Sequence, residues 1–231
     1  CLVGSEMCIR DSYWNCAWRS LTKKKGFSVV NIVGLAIGMA AALLILTYVA
    51  FEYSYDDMHS RQDRIFRVEA RFYENGELTD DWASSFAGYA TAMKQNMSAV
   101  EDYTRVGSQY YPEQVVKYNE LLYRETGIGY AEANFFDFFD FKLLKGNKES
   151  CLDGPNKVVI TERIAQKYFK GADPIGKILV FRSNIGEEAC EVTGIMEDMP
   201  INTHIRYNLL ISYKTVSYTH LRAHETGRNL V

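Results

Sequence analysis

The sequence predicts an α+β domain preceded by one transmembrane α-helix. Three observations carry this. Phe27–Phe51 contains no charged residue. From Glu52 to Thr215 the chain alternates strand-like and helix-like patterns separated by turn residues. A hydrophobic content of 47% and an aromatic content of 13%, with only 4 Pro in 231 residues, belong to a chain that packs a core.

Both ends carry the mark of a sequence that belongs to no fold. Leu2–Asp11 can be encoded by a DNA string whose reverse complement translates as Val216–Glu225 of the same chain. Residues 1–12 and 216–231 are therefore read as translated library adapter. His220, His224 and Glu225, which imitate a metal-binding HxxxH pair, fall with that reading. The tails carry −1 and +1, so the net charge of −3 is unaffected. The remaining chain is read as a fragment of a longer protein.

Residues 27–51 form the expected membrane span. About 25 residues at a rise of about 1.5 Å give roughly 37 Å, enough to cross a bilayer with some tilt. A buried core helix of this length would show a polar face, and here only Ser28, Asn31 and Thr47 are polar. Ala40–Ala42 imitates a signal-peptide cleavage site, but Leu43–Phe51 continues apolar beyond it, so the segment reads as an uncleaved anchor.

Arg19, Lys23, Lys24 and Lys25 precede the span with no acid among them, whereas Glu52, Asp56 and Asp57 follow it. The positive-inside rule then places the N-terminus in the cytoplasm and residues 52–215 outside. That outer part carries −7, because the inner flank holds +4 and the tails cancel. Tyr13, Trp14, Trp18 and Leu21, within the cytoplasmic segment 13–26, have the composition of a short amphipathic helix at headgroup level. Gly34, Gly38 and Ala42 recur every fourth residue, a small-residue face that lets another membrane helix approach closely.

In the outer domain, Arg64–Phe72 alternates apolar and charged residues and predicts a strand, with Asn75-Gly76 as the following turn. Trp82–Met97 has helical spacing through Phe86, Tyr89, Ala90, Met93 and Met97. Tyr103–Val106 reads as a strand, and Glu113–Tyr118 with Leu121–Thr126 as a hairpin around Asn119-Glu120. The aromatic run Phe135–Phe141 reads as core. Val158–Ile160 reads as a strand, followed by Thr161 as N-cap of a helix over Glu162–Phe169. Ile178–Phe181 and Glu191–Ile195 are strands about a turn near 184–186, and Tyr207–Ser212 is the last.

Few chemical motifs survive inspection. Gly171–Lys177 matches GxxxxGK, but a helix precedes it, a strand follows, and Ile178 stands where a phosphate loop needs Ser or Thr. Gly127-Ile128-Gly129 lacks the third glycine of a dinucleotide site. His59 and His204 have no ligand at metal-binding spacing. Cys151 and Cys190 face an oxidising space if outside, and the sequence leaves their pairing open. No catalytic, cofactor-binding or metal-ligating residue is assigned, and the acidic balance excludes a nucleic-acid partner.

A series of ordered motifs carries a family resemblance. It runs through Ala17-Trp18-Arg19-Ser20-Leu21, Lys25-Gly26-Phe27-Ser28, Asn31–Met39, Ser54-Tyr55-Asp56 and Asp63–Val68. It continues through Val159–Ala165, Tyr168-Phe169, Asp173–Lys177, Val192–Ile195 and Asp198–Ile205. Over residues 13–215 the chain resembles the MacB/FtsX-type permeases of ABC transporters, in the form common in Bacteroidetes-like bacteria. The resembling part is the first membrane helix plus the periplasmic core domain. The resemblance implies a bacterial inner-membrane protein without a cofactor of its own, whose ATP is hydrolysed by a separate cytoplasmic ABC ATPase. It implies further permease helices or a second permease copy, surrounding lipid and a periplasmic adaptor as partners. Substrates across the family include antimicrobial peptides, macrolides, lipoproteins and signals to cell-wall hydrolases. The rival reading is a single-pass membrane-anchored extracellular sensor or adhesion domain. A bare anchor has no need of the Gly34/Gly38 face.

Overall fold

The computed structural model describes residues 13–16, 18–19, 21–108, 113–183 and 186–215. The expected adapter tails, the His220/His224 pair and most of the 184–186 turn lie outside the described residues. The chain divides into two units between Ser54 and Tyr55.

The first unit is dominated by helix α1, Lys25–Tyr53. It is longer than the uncharged stretch at both ends. Its 29 residues are all exposed or half-exposed, with none buried, and it is the one described helix long and apolar enough to cross a membrane. Helical backbone also occurs at 13–16, 18–19 and 21–23, and Lys24 interrupts it with φ −118° and ψ 62°. Ser28 Oγ donates to the Leu21 carbonyl across that break, at 2.9 Å.

The second unit is mixed α+β. A 3-10 turn at Gln62–Arg64 leads to the hairpin β1 (Ala70–Glu74) and β2 (Glu77–Trp82). Asn75 and Gly76 both take positive φ, 53° and 85°, as a two-residue primed turn requires. The expected strand over 64–72 is corrected here. Residues 65–69 join no described ladder, and pairing begins only at Ala70. The expected helix over 82–97 shortens to α2, Ala87–Asn96, because Trp82 pairs with Ala70 as the last residue of β2. The strand expected at 103–106 sits later, as β3, Val106–Ser108.

The main sheet has nine strands among the described residues. Besides β3 they are β4 (Glu113–Tyr118), β5 (Leu121–Thr126), β6 (Ile128–Ala131), β7 (Leu143–Lys145), β8 (Lys157–Thr161), β9 (Ile178–Ser183), β10 (Gly186–Met196) and β11 (Leu209–Ser212). The order is β3-β6-β11-β8-β10-β9-β4-β5. β6 with β11 and β8 with β10 are parallel; the other pairs are antiparallel. β10 pairs with β9 over its first half and with β8 over its second, and β7 pairs with its last two residues.

Central strands here are apolar on both faces, which is why Val158-Val159-Ile160 and Leu209-Leu210-Ile211 are unbroken apolar runs. Val158, Ile160, Leu209 and Ile211 face one core with helix α4 (Glu162–Phe169), which contributes Ile164, Tyr168 and Phe169. Val159 and Leu210 face the other core with Phe135, Phe136, Phe139 and Phe141, the first two from the short helix α3 (Phe135–Phe138). Each buried Phe contributes roughly 1.5–3 kcal/mol. Exposed ion pairs such as Arg124–Glu113 and Lys142–Glu197 are worth at most about 1 kcal/mol each, so the aromatic packing dominates. Thr161 caps α4 as expected, its hydroxyl accepting from the Ile164 N–H at 3.5 Å, and Lys170 closes it with φ 49°.

Candidate functional site

The residues singled out in the membrane segment all lie on helical backbone or at its start. Gly34, Gly38 and Ala42 fall four residues apart along α1, on one face. A Cβ at Gly34 or Gly38 would meet nothing within 4 Å, so this face is open. Lys24 is the N-cap of α1 and Lys25 its first residue, with Lys23 and Arg19 in the helical backbone before the break.

The chain leaves α1 at Tyr53, and three residues later Asp56 turns with φ 60°. Its N–H donates to the Asn202 carbonyl at 3.0 Å. Its carboxylate accepts from the Thr203 hydroxyl and, at 3.2 Å, from the His204 N–H, while His204 Nδ1 lies 2.6 Å from Oδ2. The rings of Tyr55 and His204 lie 5.0 Å apart. Two of the ordered motifs in the sequence, Ser54-Tyr55-Asp56 and Asp198–Ile205, thus form one clasp. Burial works to raise the Asp56 pKa, but the hydrogen bonds from Thr203 and His204 and the charge of His204 outweigh it, and the net shift is downward. Asn202–His204 belong to the segment that leads into β11, in the middle of the sheet.

A second anchor follows at once. His59, 4% exposed, sits against Phe139 and Phe141 at ring distances of 5.3 and 5.1 Å. Its Nδ1 accepts from the Asp140 N–H at 3.3 Å, and the Ser60 N–H donates back to the Asp140 carboxylate. That bond and one from the Ser60 side chain, with smaller help from the nearby Arg61 charge, hold the Asp140 carboxyl below its ordinary value against a smaller opposing effect of burial. Arg61 Nη2 donates to the carbonyls of Asp137 and Phe138. Residues 56–61 are therefore fastened both to the loop before β11 and to the end of α3 and the residues just after it. Sequence reasoning treated His59 and His204 only as failed metal ligands and did not join Asp56 to His204. The available signal was the placement of Asp56 and His204 inside ordered motifs, without any indication that they touch.

The remaining candidates resolve simply. Gly171–Lys177 connects α4 to β9, and the N–H of Gly176 donates to the Val192 carbonyl at 2.8 Å, so the segment is a helix-to-strand turn. Cys151 and Cys190 are both free and belong to different cores. Burial pushes the Cys151 thiol up to about 11 and raises Cys190 further. Among the described residues no three His, Cys, Asp or Glu side chains gather as metal ligands. Gly129 has a role that the sequence did not reveal: a Cβ there would strike the Tyr207 ring, just before β11.

A family model described as MacB-like periplasmic core domain matches residues 28–230. Among solved structures, a domain of a permease protein from Porphyromonas gingivalis is 27% identical with a TM-score of 0.51, covering 58% of this chain and 60% of that one. The periplasmic region of MacB from Actinobacillus actinomycetemcomitans is 18% identical with a TM-score of 0.43, covering 55% and 54%. The extracellular domain of the noncanonic ABC-type transporter YknZ from Gram-positive bacteria is 14% identical with a TM-score of 0.45, covering 58% and 66%. The chain thus spans 54% to 66% of the length of these neighbours. A comparison with curated proteins finds none that matches.

Proposed function

The chain belongs to the MacB-like periplasmic core domain family, and from that membership we propose that it is the mechanical part of an ABC transporter permease subunit, relaying ATP-driven motion for export or extraction of a substrate. In this reading α1 crosses the inner membrane with Arg19, Lys23, Lys24 and Lys25 on the cytoplasmic side. The Gly34/Gly38/Ala42 face packs on further permease helices or on a second permease copy. A separate cytoplasmic ATPase supplies the energy, a periplasmic adaptor is a further partner, and the outer domain performs no chemistry of its own.

One observation carries the relay. The chain that leaves α1 is fixed within a few residues to two elements of the outer domain, through Asp56 to Asn202–His204 and through Ser60 and Arg61 to Asp137–Asp140. A displacement of residues 55–61 is handed to the loop before β11 and to the aromatic core, because hydrogen-bonded and close-packed contacts transmit strain instead of absorbing it. The test is the complete permease reconstituted with its ATPase. Asp56→Ala should leave ATP hydrolysis near the starting rate while transport per ATP falls several-fold. Unchanged transport per ATP in a variant whose clasp is open would overturn the relay.

A further inference from the structure

We infer that the β1–β2 hairpin and the start of α2 form a docking face for a protein partner whose apolar contact surface is rimmed by lysine or arginine. Four rings form a continuous chain across the two elements. Phe72 meets Trp82 at 4.9 Å and Phe86 at 6.2 Å, and Phe86 meets Tyr89 at 5.4 Å. Yet Trp82, Phe86 and Tyr89 remain 47–48% exposed. The cross-strand pair Tyr73 and Leu78 adds 63% and 53% exposure on the same hairpin. Every residue of β2 is exposed. A contiguous aromatic patch of this kind on a water-facing domain marks a contact surface.

Two further observations point to a partner. Among the described residues the hairpin is a two-stranded sheet that does not join the nine-stranded one, and the neighbour such a ribbon needs, Phe86 at the start of α2, covers it only in part, leaving Trp82 and Phe86 about half exposed. Its platform is nevertheless held still. Arg105 Nη1 donates to the Ala87 carbonyl at 3.2 Å, the hydroxyls of Thr91 and Tyr103 lie 3.1 Å apart, and Lys94 reaches Asp102 at 2.6 Å. Rings presented from a fixed platform lose little freedom on binding.

Charge selects the occupant. Glu69, Glu74, Glu77, Asp80 and Asp81 are exposed on or beside the hairpin, against Arg67 and Arg71, and Arg71 is already engaged by Asp81 at 3.2 Å. An acidic rim repels an anionic lipid surface. It also repels the same rim on a second copy of the chain. It attracts a protein face that surrounds its apolar centre with basic residues. This inference does not depend on the relay through Asp56.

The test uses the full chain in zwitterionic nanodiscs with Trp14→Phe and Trp18→Phe, which leaves Trp82 as the single tryptophan. The probes are two synthetic helical peptides sharing one Leu/Phe face, one flanked by Lys and Arg and its twin by Glu. The basic peptide should shift Trp82 emission to the blue saturably and bind at least about tenfold more tightly than its twin. Glu77→Lys with Asp80→Lys, which spares the Arg71–Asp81 pair, should invert that preference. Phe86→Ala should abolish the shift, and if it also unfolds the domain the charge reversal at two exposed positions still decides. Equal binding of the twins, or a preference unchanged by the reversal, overturns the inference. Stronger binding to phosphatidylglycerol vesicles than to the basic peptide overturns it in favour of lipid. Concentration-dependent self-association lost in Phe86→Ala overturns it in favour of a second copy.

Discussion

Asp56 Oδ2 and His204 Nδ1 lie 2.6 Å apart across 148 residues of sequence. The pair fastens the start of the α+β unit to the loop that leads into its last strand.

The clasp should make stability depend on acid pH. The Asp56 pKa is lowered in the fold from an ordinary value of 3.8. The contribution of the carboxylate is therefore complete above that ordinary value and is lost as the pH falls through the lower folded one. The carboxylate remains partly solvated, so Asp56→Ala should cost about 1 kcal/mol at neutral pH, the low end for a hydrogen-bonded charge. Denaturant unfolding of the two proteins should differ at neutral pH and converge below the ordinary carboxylate range.

Gly129 on β6 should tolerate no side chain while Tyr207 is present. A Cβ at 129 would occupy space held by the Tyr207 ring, and overpacking of this kind costs about 1–3 kcal/mol. Gly129→Ala should lower thermal stability. In the background of Tyr207→Ala the same substitution should cost much less, a coupling that a double-mutant cycle measures directly.

Topology is best read at an exposed turn. Cys151 is 1% exposed with its thiol raised by burial, so it makes a poor reporter. Glu120, exposed in the turn between β4 and β5, is the better position. With the N-terminus in the cytoplasm, Glu120→Cys should react with a membrane-impermeant maleimide once the outer face of the inner membrane is accessible, whereas the native Cys16 should not. Labelling of Cys16 and protection of position 120 would reverse the orientation.

The open face of α1 should be sensitive to bulk. Gly38→Leu places a branched side chain where close helix approach is expected. Transport by the complete permease should fall while ATP hydrolysis continues, and the thermal unfolding of the outer domain should stay at its starting value. A parallel loss in that unfolding would assign Gly38 to folding instead of coupling.

The parts of the fold that are legible in the sequence share one property: their cause is local. An uncharged stretch of 25 residues is enough to specify α1. Thr161 opens α4 with capping chemistry, and Asn119 and Asn75-Gly76 supply the positive φ that two hairpin turns require. Phe135–Phe141 reads as core for an equally local reason, since that many aromatic side chains have nowhere else to go.

Features that the residue pattern cannot supply depend on partners far along the chain. Ile128–Ala131 is too short and too interrupted by glycine to announce a central strand, yet β11 and β3 pair with it on both edges. Arg64–Phe72 alternates as a strand should, but only its last residues find a neighbour, and Phe66 stays 82% exposed. Alternation states which side a residue can face and cannot state what lies there. Asp56 and His204 are the same case in polar form. Local pattern alone is enough for the apolar helix, the turns and caps, and the family to which the motifs belong. The fold alone brought Asp56 to His204 and left Trp82 and Phe86 uncovered, because hydrogen bonds and burial are properties of atoms that meet in space, whatever their separation in the chain.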